Sequence, residues 1–565
     1  MSDIDAASST TATFCATLVD EWIALGVRHA VIAPGSRSTP MALALVARDE
    51  LQVHVVIDER SAAFTALGIG LSSGQPAVLL CTSGTAATHF HAAVVEAHQA
   101  EVPLIVVTAD RPPELRDVGA AQTIDQNRLY GGAVRWYCDP GVPDAAMQHA
   151  WRTIAMRAHA ESMGITTPGP VHVNLPFREP LVGVPGPLPP RRLHGTLATA
   201  KPQLRFVERP VDWDRLVRSR GVIIAGYLPG GAIYSMQRAA QRLGWPILAE
   251  ARSIDRRPFP EAVAAFDAIL RDEQFALTHV PDVVVRVGQA PASKVLAQWL
   301  ASSGALQIQV GGPGPWNDPS HDAAAFSFNV GSAQALEGVV PGGLVVDPSW
   351  LGDWSEAERR AQGVFDVQLS SGELSEPAVA RTVSSALPDG HTLLLSSSMP
   401  VRDVEWFGVK RDGLRVLSNR GANGIDGVVS TAVGIAATRW PTTLLIGDVA
   451  FLHDQGALTQ LARRQLDLTI VVIDNDGGGI FEFLPQATSV DRERFEQLFG
   501  TPHGTDLPAL VAAHGLECHE ASTVEQLRGL LGRRGTRVIV VRTSRIDNVS
   551  VHRALNASVA AAIGN

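Results

Sequence analysis

Long apolar runs are missing from this chain. No segment approaches the roughly 20 consecutive apolar residues that a membrane-spanning helix needs, so no membrane partner is expected. Cysteine is scarce: Cys15, Cys81, Cys138 and Cys518 stand apart, with no CxxC pair. That spacing suits neither a disulfide framework nor a thiolate metal site, and it points to a reducing, cytoplasmic setting. Charged residues make up only 18% of the chain and the net charge is −10. An acidic chain without long basic runs is a poor partner for nucleic acid or an anionic bilayer, so any basic site must be local. The opening stretch MSDIDAASSTTATF lacks the basic and apolar parts of a secretory signal. Low-complexity tracts and short-period repeats are absent as well. The dinucleotide fingerprint GxGxxG is not found; GYLPGG, beginning at Gly226, departs from it. His89, His91 and His98 share a helical stretch, but His89 and His91 point to different faces, so they are read as structural.

What is present is a well-folded α/β pattern. The 565 residues are 45% hydrophobic, too many for one core and enough for two or three. HAVIAPG, VHVVID, AVLLCTSG, PLIVVTAD and GPVHVNLPF are strand-length apolar runs, most followed by Ala-rich helical stretches. That alternation predicts a parallel sheet covered on both faces. The Pro-rich stretch PLVGVPGPLPPRR reads as a linker. GVIIAGYLPGG, WPILAEA, PDVVVRVG and ALQIQVGG form a second block. After VVPGGLVVDPSW a third block contains HTLLLSSS, LRVLSN, TTLLIGD, LTIVVIDN and TRVIVVRT. The expected fold is therefore three consecutive α/β domains with mainly parallel sheets, over residues 1–188, 189–352 and 353–565.

The third block carries the most informative pair. A strand ends at Gly447 and Asp448, and the next ends at Asp474, Asn475 and a glycine run. Asp448 and Asn475 lie 27 positions apart. In a right-handed βαβ unit that spacing puts both at the carboxyl ends of neighbouring strands, where ligands bind. The Asp448 carboxylate, the Asn475 amide oxygen and a backbone carbonyl at Gly477 are hard oxygen ligands, suited to octahedral Mg²⁺ that also holds phosphate oxygens. Gly447 leaves room for phosphates at the following helix N-terminus. An Asp in such a turn also serves as an N-cap, and Asn-Asp-Gly is also a common turn. The pair at this spacing is what favours a metal.

Gly447-Asp448, followed by 26 residues and Asn475, resembles the GDG…NN signature of thiamine-diphosphate enzymes, with Val449 and Asp476 as departures. That resemblance implies thiamine diphosphate with Mg²⁺ or Mn²⁺. It also implies an N-terminal pyrimidine-binding domain, a central degenerate Rossmann-like domain and a C-terminal diphosphate-binding domain. A glutamate after the second strand must bond the pyrimidine N1′ and favour the imino tautomer; Glu59 in VHVVIDERSAAF matches it. Asp58 and Glu59 would otherwise only complement a helix dipole. In that family the two halves of one site come from different subunits, which implies a homodimer or dimer of dimers.

Local positive charge suggests the substrates. Ser36 and Arg37 lie in a strand-to-helix turn, Arg111 at a strand end, and Gln122 in the loop beyond. Lys294 follows a strand of the second block, Ser398 and Arg402 open a helix, and Arg420 sits in a Gly-rich turn. Several charge-assisted hydrogen bonds are needed to offset desolvation of a dicarboxylate, whereas a pyruvate site needs fewer. PGSRSTP, DERSAAF, TSGTA, TADRPPELR, SNRGANGIDG and GGIFEFLP together look like the 2-succinyl-5-enolpyruvyl-6-hydroxy-3-cyclohexene-1-carboxylate synthases of menaquinone biosynthesis. The resemblance implies decarboxylation of 2-oxoglutarate and 1,4-addition of the succinyl-semialdehyde carbanion to isochorismate. It assigns Ser36, Arg37, Arg111, Gln122, Lys294, Ser398, Arg402 and Arg420 to substrate carboxylates and hydroxyls. It sets Ile480, Phe481 and Leu484 against the cofactor, although ordinary core packing would also account for these three. An acetolactate-synthase-like carboligase and a non-catalytic Rossmann-like binding protein are the competing readings.

Overall fold

The computed structural model describes residues 3–164, 167–191, 213–228, 235–311, 318–327, 336, 347–459 and 461–564. Most of VVPGGLVVDPSW therefore lies outside the described residues. The apolar runs form three six-stranded sheets. In the first, β1 (His29–Ile32), β2 (Gln52–Val55), β3 (Ala77–Cys81), β4 (Leu104–Asp110), β5 (Tyr137–Cys138) and β6 (Pro170–Pro176) run in the order β2-β1-β3-β4-β6-β5. The second comprises β7 (Gly221–Ala225), β8 (Ile247–Ala249), β9 (Ala262–Val263), β10 (Val283–Val287), β11 (Leu306–Val310) and β12 (Ala323–Ser327), in the order β12-β11-β10-β7-β8-β9. The third comprises β13 (Thr392–Leu395), β14 (Arg415–Ser418), β15 (Thr442–Gly447), β16 (Leu468–Asp474), β17 (Glu517–Glu520) and β18 (Thr536–Arg542), in the order β14-β13-β15-β16-β18-β17.

Every pairing between these strands is parallel. Parallel strands covered on both faces bury every side chain, and β3, β4 and β6 are buried throughout. The second sheet has the doubly wound order 3-2-1-4-5-6, so the expected Rossmann-like topology is present without its fingerprint. The first and third sheets share one order. Their direction of winding reverses between β1 and β3 and between β13 and β15, the places where open α/β sheets bind ligands.

By contact the chain forms two units. One is Met1–Phe206, Asn419–Arg439 and Asp454–Thr459; the other is Val207–Ser418, Trp440–His453 and Gln460–Asn565. In the first, Phe14, Trp22 and Trp151 fill one face of the first sheet, and Phe64, Phe90 and Tyr130 fill the other. Helix Val428–Ala437 lies along helix Glu59–Ser73 with almost no gap. A Cβ on Gly68 would sit 2.1 Å from the Thr431 carbonyl oxygen, and one on Gly434 would sit 2.1 Å from that of Thr65. Only glycine permits that approach.

In the second unit, Trp245, Trp350, Trp354, Phe365 and Phe407 share one core. The buried Arg256 guanidinium donates to the carbonyls of Ala249, Val404, Glu405 and Gly408. Burial lowers its pKa to about 10, so it remains a cation at neutral pH. A cation satisfying the last carbonyls of helix Met399–Phe407 offsets its dipole and fixes the helix axis. The opposite end of that helix is Ser398.

Candidate active site

The Asp448 side chain is not an N-cap of the usual kind. It is the first residue of helix Asp448–His453 and is buried. Its Oδ1 accepts from the Val449 N–H at 2.6 Å. Its Oδ2 reaches across to the next strand end and accepts from the N–H groups of Asn475 at 3.0 Å and Gly477 at 2.9 Å. One carboxylate thus ties the ends of β15 and β16 together. Gly477 has φ +140°, and a Cβ there would lie 1.9 Å from the Gly500 carbonyl oxygen. Among the described residues nothing beyond its chain neighbours comes within 4 Å of a Cβ built on Gly447, so that side of the turn is open.

Asn475 is held at three points. Its N–H meets Asp448, its carbonyl accepts from Arg545 Nε at 3.1 Å, and its Nδ2 donates to Glu376 Oε1 at 2.8 Å. Its Oδ1 is buried with no partner among the described residues. A buried oxygen left unpaired is costly unless a ligand satisfies it. This orphaned oxygen beside the Asp448 carboxylate fits a hard divalent cation.

His503 and Asp474 were not anticipated from the sequence. Among the described residues, Asp448, Asp474 and His503 bring ligand-type atoms within 4.8 Å of one another. Burial and the Asp448 charge push the Asp474 pKa upward. His503 Nδ1 accepts from the Thr505 N–H at 3.0 Å. Its Nε2 lies 3.3 Å from Asp448 Oδ2. Nε2 makes no hydrogen bond among the described residues, and the oxygen set of Asp448 and Asn475 remains the better cage for a hard cation.

The first sheet gathers another group of residues at its carboxyl edge. Ser36 and Arg37 follow β1 and Glu59 follows the neighbouring β2, while Arg111 follows β4, which β3 separates from β1. Asp58 takes the capping role, accepting from the Arg60 N–H at 2.9 Å. Glu59 is left half-buried and is not needed as the cap. Arg37 turns inward: its guanidinium donates to the Phe177 carbonyl at 3.0 Å and to Glu179 at 3.1 Å. Among the described residues its Nε has no partner, and neither does the buried Nε of Arg111. Ser36 is exposed. Gln122 has φ +53°, and its carbonyl accepts from Ser83 Oγ at 3.0 Å. Gln126, which sequence reasoning missed, anchors the same loop. Its Oε1 accepts from the Gly84 N–H, and its Nε2 donates to the Ala109 carbonyl and Asn174 Oδ1.

The remaining residues are placed as follows. Ser398 has φ +75°, a strained conformation for a residue with a Cβ. It lies at the carboxyl end of β13, beside β15, and the hydroxyls of Ser396 and Ser397 next to it are buried without partners among the described residues. Arg402 Nη1 donates to the Ser398 carbonyl at 2.6 Å. Ile480, Phe481 and Leu484 are all half-buried around the turn Gly479–Phe483, with the Phe481 ring 5.5 Å from that of Phe499. Lys294 is exposed at the start of helix Lys294–Ser303, on the second sheet. Arg420 is half-buried in the Gly-rich turn.

Three stretches match thiamine pyrophosphate enzyme models. The N-terminal thiamine pyrophosphate binding domain covers residues 13–129, the middle domain 196–395 and the C-terminal thiamine pyrophosphate binding domain 407–541. Curated relatives called 2-succinyl-5-enolpyruvyl-6-hydroxy-3-cyclohexene-1-carboxylate synthase are similar over nearly the whole length. The one from Myxococcus xanthus is 42% identical, covering 97% of both chains. The one from Thermobifida fusca is 43% identical, covering 97% of this chain and 98% of its own. A solved structure from Mycobacterium smegmatis, ascribed to a thiamin diphosphate-dependent enzyme, is 18% identical. It has a TM-score of 0.65 and covers 94% of this chain and 99% of its own, a likeness of fold. Sheet order, the turn at Asp448 and Asn475, and these relatives agree: the chain belongs to the 2-succinyl-5-enolpyruvyl-6-hydroxy-3-cyclohexene-1-carboxylate synthase family of thiamine-diphosphate-dependent enzymes.

Proposed function

We propose that this enzyme decarboxylates 2-oxoglutarate and adds the remaining four-carbon acyl unit in 1,4 fashion to isochorismate, releasing carbon dioxide. The product would be 2-succinyl-5-enolpyruvyl-6-hydroxy-3-cyclohexene-1-carboxylate, on the route to menaquinone. The observation that carries this reading is the unpaired Asn475 Oδ1 beside Asp448, at the strand ends of the third sheet. Asp448, Asn475 Oδ1 and the Gly477 carbonyl would hold Mg²⁺ or Mn²⁺ against the diphosphate, with Gly447 leaving room for it. Thiamine diphosphate, when bound, supplies the electron sink for loss of the 2-oxo acid carboxylate. Glu59 would share a proton with the pyrimidine N1′.

The unpartnered Nε–H groups of Arg37 and Arg111 are donors suited to anionic oxygen, which supports substrates with several carboxylates. Ser36, Gln122, Lys294, Ser398, Arg402 and Arg420 would complete that recognition. Ile480, Phe481 and Leu484 would exclude water from the cofactor side.

The domains we propose are 1–188, 189–352 and 353–565, in a cytoplasmic homodimer or dimer of dimers whose sites are completed between copies. Val55 and Ile57, at the end of β2 and just before Glu59, and Leu43 and Val46, on helix Thr39–Val46, are 48–61% exposed, apolar side chains that suit burial against a second copy. No described helix is long and apolar enough to cross a membrane.

Incubation of the purified protein with thiamine diphosphate, Mg²⁺, 2-oxoglutarate and isochorismate should give the adduct by mass spectrometry. Turnover of pyruvate alone, with no adduct from the two dicarboxylates, would overturn the assignment in favour of an acetolactate-type carboligase.

A further inference from the structure

Helix Glu376–Ala386 begins with a glutamate that none of the expected motifs includes. Glu376 is 1% exposed. Its Oε1 accepts from Asn475 Nδ2 at 2.8 Å and from Thr543 Oγ1 at 3.1 Å, while its Oε2 has no partner among the described residues. An isolated carboxyl group is expensive to bury, and this one is far from any surface role. Burial first, and then the Asp403 charge, hold its pKa well above the ordinary carboxylate range.

The consequence falls on Asn475. An asparagine amide can turn over by exchanging its oxygen and nitrogen, and nothing in its own shape prevents this. Here the acceptor Glu376 Oε1 faces one side of the amide. Turning the amide over would set an oxygen against that oxygen. As a carboxylate Glu376 offers acceptors alone, and as a protonated acid it keeps the same contact with its proton on Oε2. With the Asn475 N–H, carbonyl and Nδ2 all engaged, Oδ1 is the one polar atom left, and its direction is set.

We propose that Glu376 is the positioning residue of the cation site: by accepting from Asn475 Nδ2 it presents Asn475 Oδ1 to the divalent metal. The proposal rests on the metal reading of Asp448 and Asn475. Partners behind metal ligands of other proteins typically alter metal affinity by about 10–100-fold when removed.

Glu376→Met replaces the acid with an apolar chain of similar length, and Glu376→Gln keeps an acceptor oxygen. The measurement is a calorimetric titration of Mg²⁺ into folded protein at saturating thiamine diphosphate, with melting of the metal-free protein recorded alongside. Glu376→Met should weaken Mg²⁺ binding about tenfold or more, and Glu376→Gln should stay within about threefold of the parent. A purely structural glutamate would shift metal-free melting and leave the Mg²⁺ constant unchanged. Parent-like Mg²⁺ affinity in a folded Glu376→Met protein overturns the proposal. Should that variant not fold, a Glu376→Gln protein weakened tenfold overturns it equally, because the acceptor would then not be what matters. Asp448→Ala is the control: if its Mg²⁺ affinity is unchanged, the metal reading itself has failed.

Discussion

Removing the Asp448 carboxylate should destabilise this protein even with no cofactor and no metal in solution. Its Oδ2 takes the N–H groups of Asn475 and Gly477 at 3.0 and 2.9 Å, and its Oδ1 takes that of Val449. Hydrogen bonds to a charged group contribute about 1.5–3 kcal/mol each, and an orphaned buried donor costs about 1–3 kcal/mol. The Val449 contact is local and survives rearrangement of one turn. The two contacts across to the end of β16 do not, and they share one oxygen, so they do not add fully. Asp448→Ala should therefore lose about 3–5 kcal/mol in the metal-free state. Asp448→Asn retains one oxygen for Asn475 and Gly477 and should lose less, about 1–2 kcal/mol. Urea unfolding followed by tryptophan fluorescence suits the measurement, because Trp245, Trp350 and Trp354 lie in the core of the same unit. If metal-free Asp448→Ala unfolds within about 0.5 kcal/mol of the parent, the carboxylate does not tie these strand ends together and the site geometry is wrong.

Two further outcomes follow from the first unit. Glu59→Gln should bind thiamine diphosphate with near-parent affinity yet lose at least about 100-fold in turnover, the scale of acid–base assistance; parent-like turnover would remove Glu59 from its role. Asp454 is buried, and its pKa is raised to about 6, by burial above all, although Ser430 and Ser61 donate to it. Between the unfolded value of 3.8 and about 6 the folded state holds the extra proton, so stability falls as pH rises through that window. Roughly two pH units correspond to about 3 kcal/mol. Asp454→Asn should abolish this dependence, and its stability relative to the parent should rise by about that amount between pH 4 and pH 7. An unchanged difference in urea midpoints at the two pH values would refute it.

The linear sequence determined a good deal of this. Strands buried on both faces must be continuous apolar runs, so β3, β4, β6, β7, β10, β15, β16 and β18 could be read directly. The Asp448 and Asn475 pair was legible because one βαβ unit converts a spacing of 27 positions into adjacency. β17, with the polar, part-exposed sequence ECHE, and the two-residue strands β5 and β9 carry no such signal. The N-cap alternative for Asp448 was open in the sequence, and geometry answered it: Asp448 spans two strands, whereas Asp58 caps its own helix.

Only the tertiary structure could show that Glu376, 99 positions before Asn475, holds its amide, or that His503 faces Asp448. It alone turned Arg37 toward Phe177, 140 positions on, leaving one N–H over. The reason is physical. Hydrophobic periodicity is local and repeats along the chain, whereas a buried polar atom is satisfied by whatever the sheet order carries to it, however far away in the chain that partner lies.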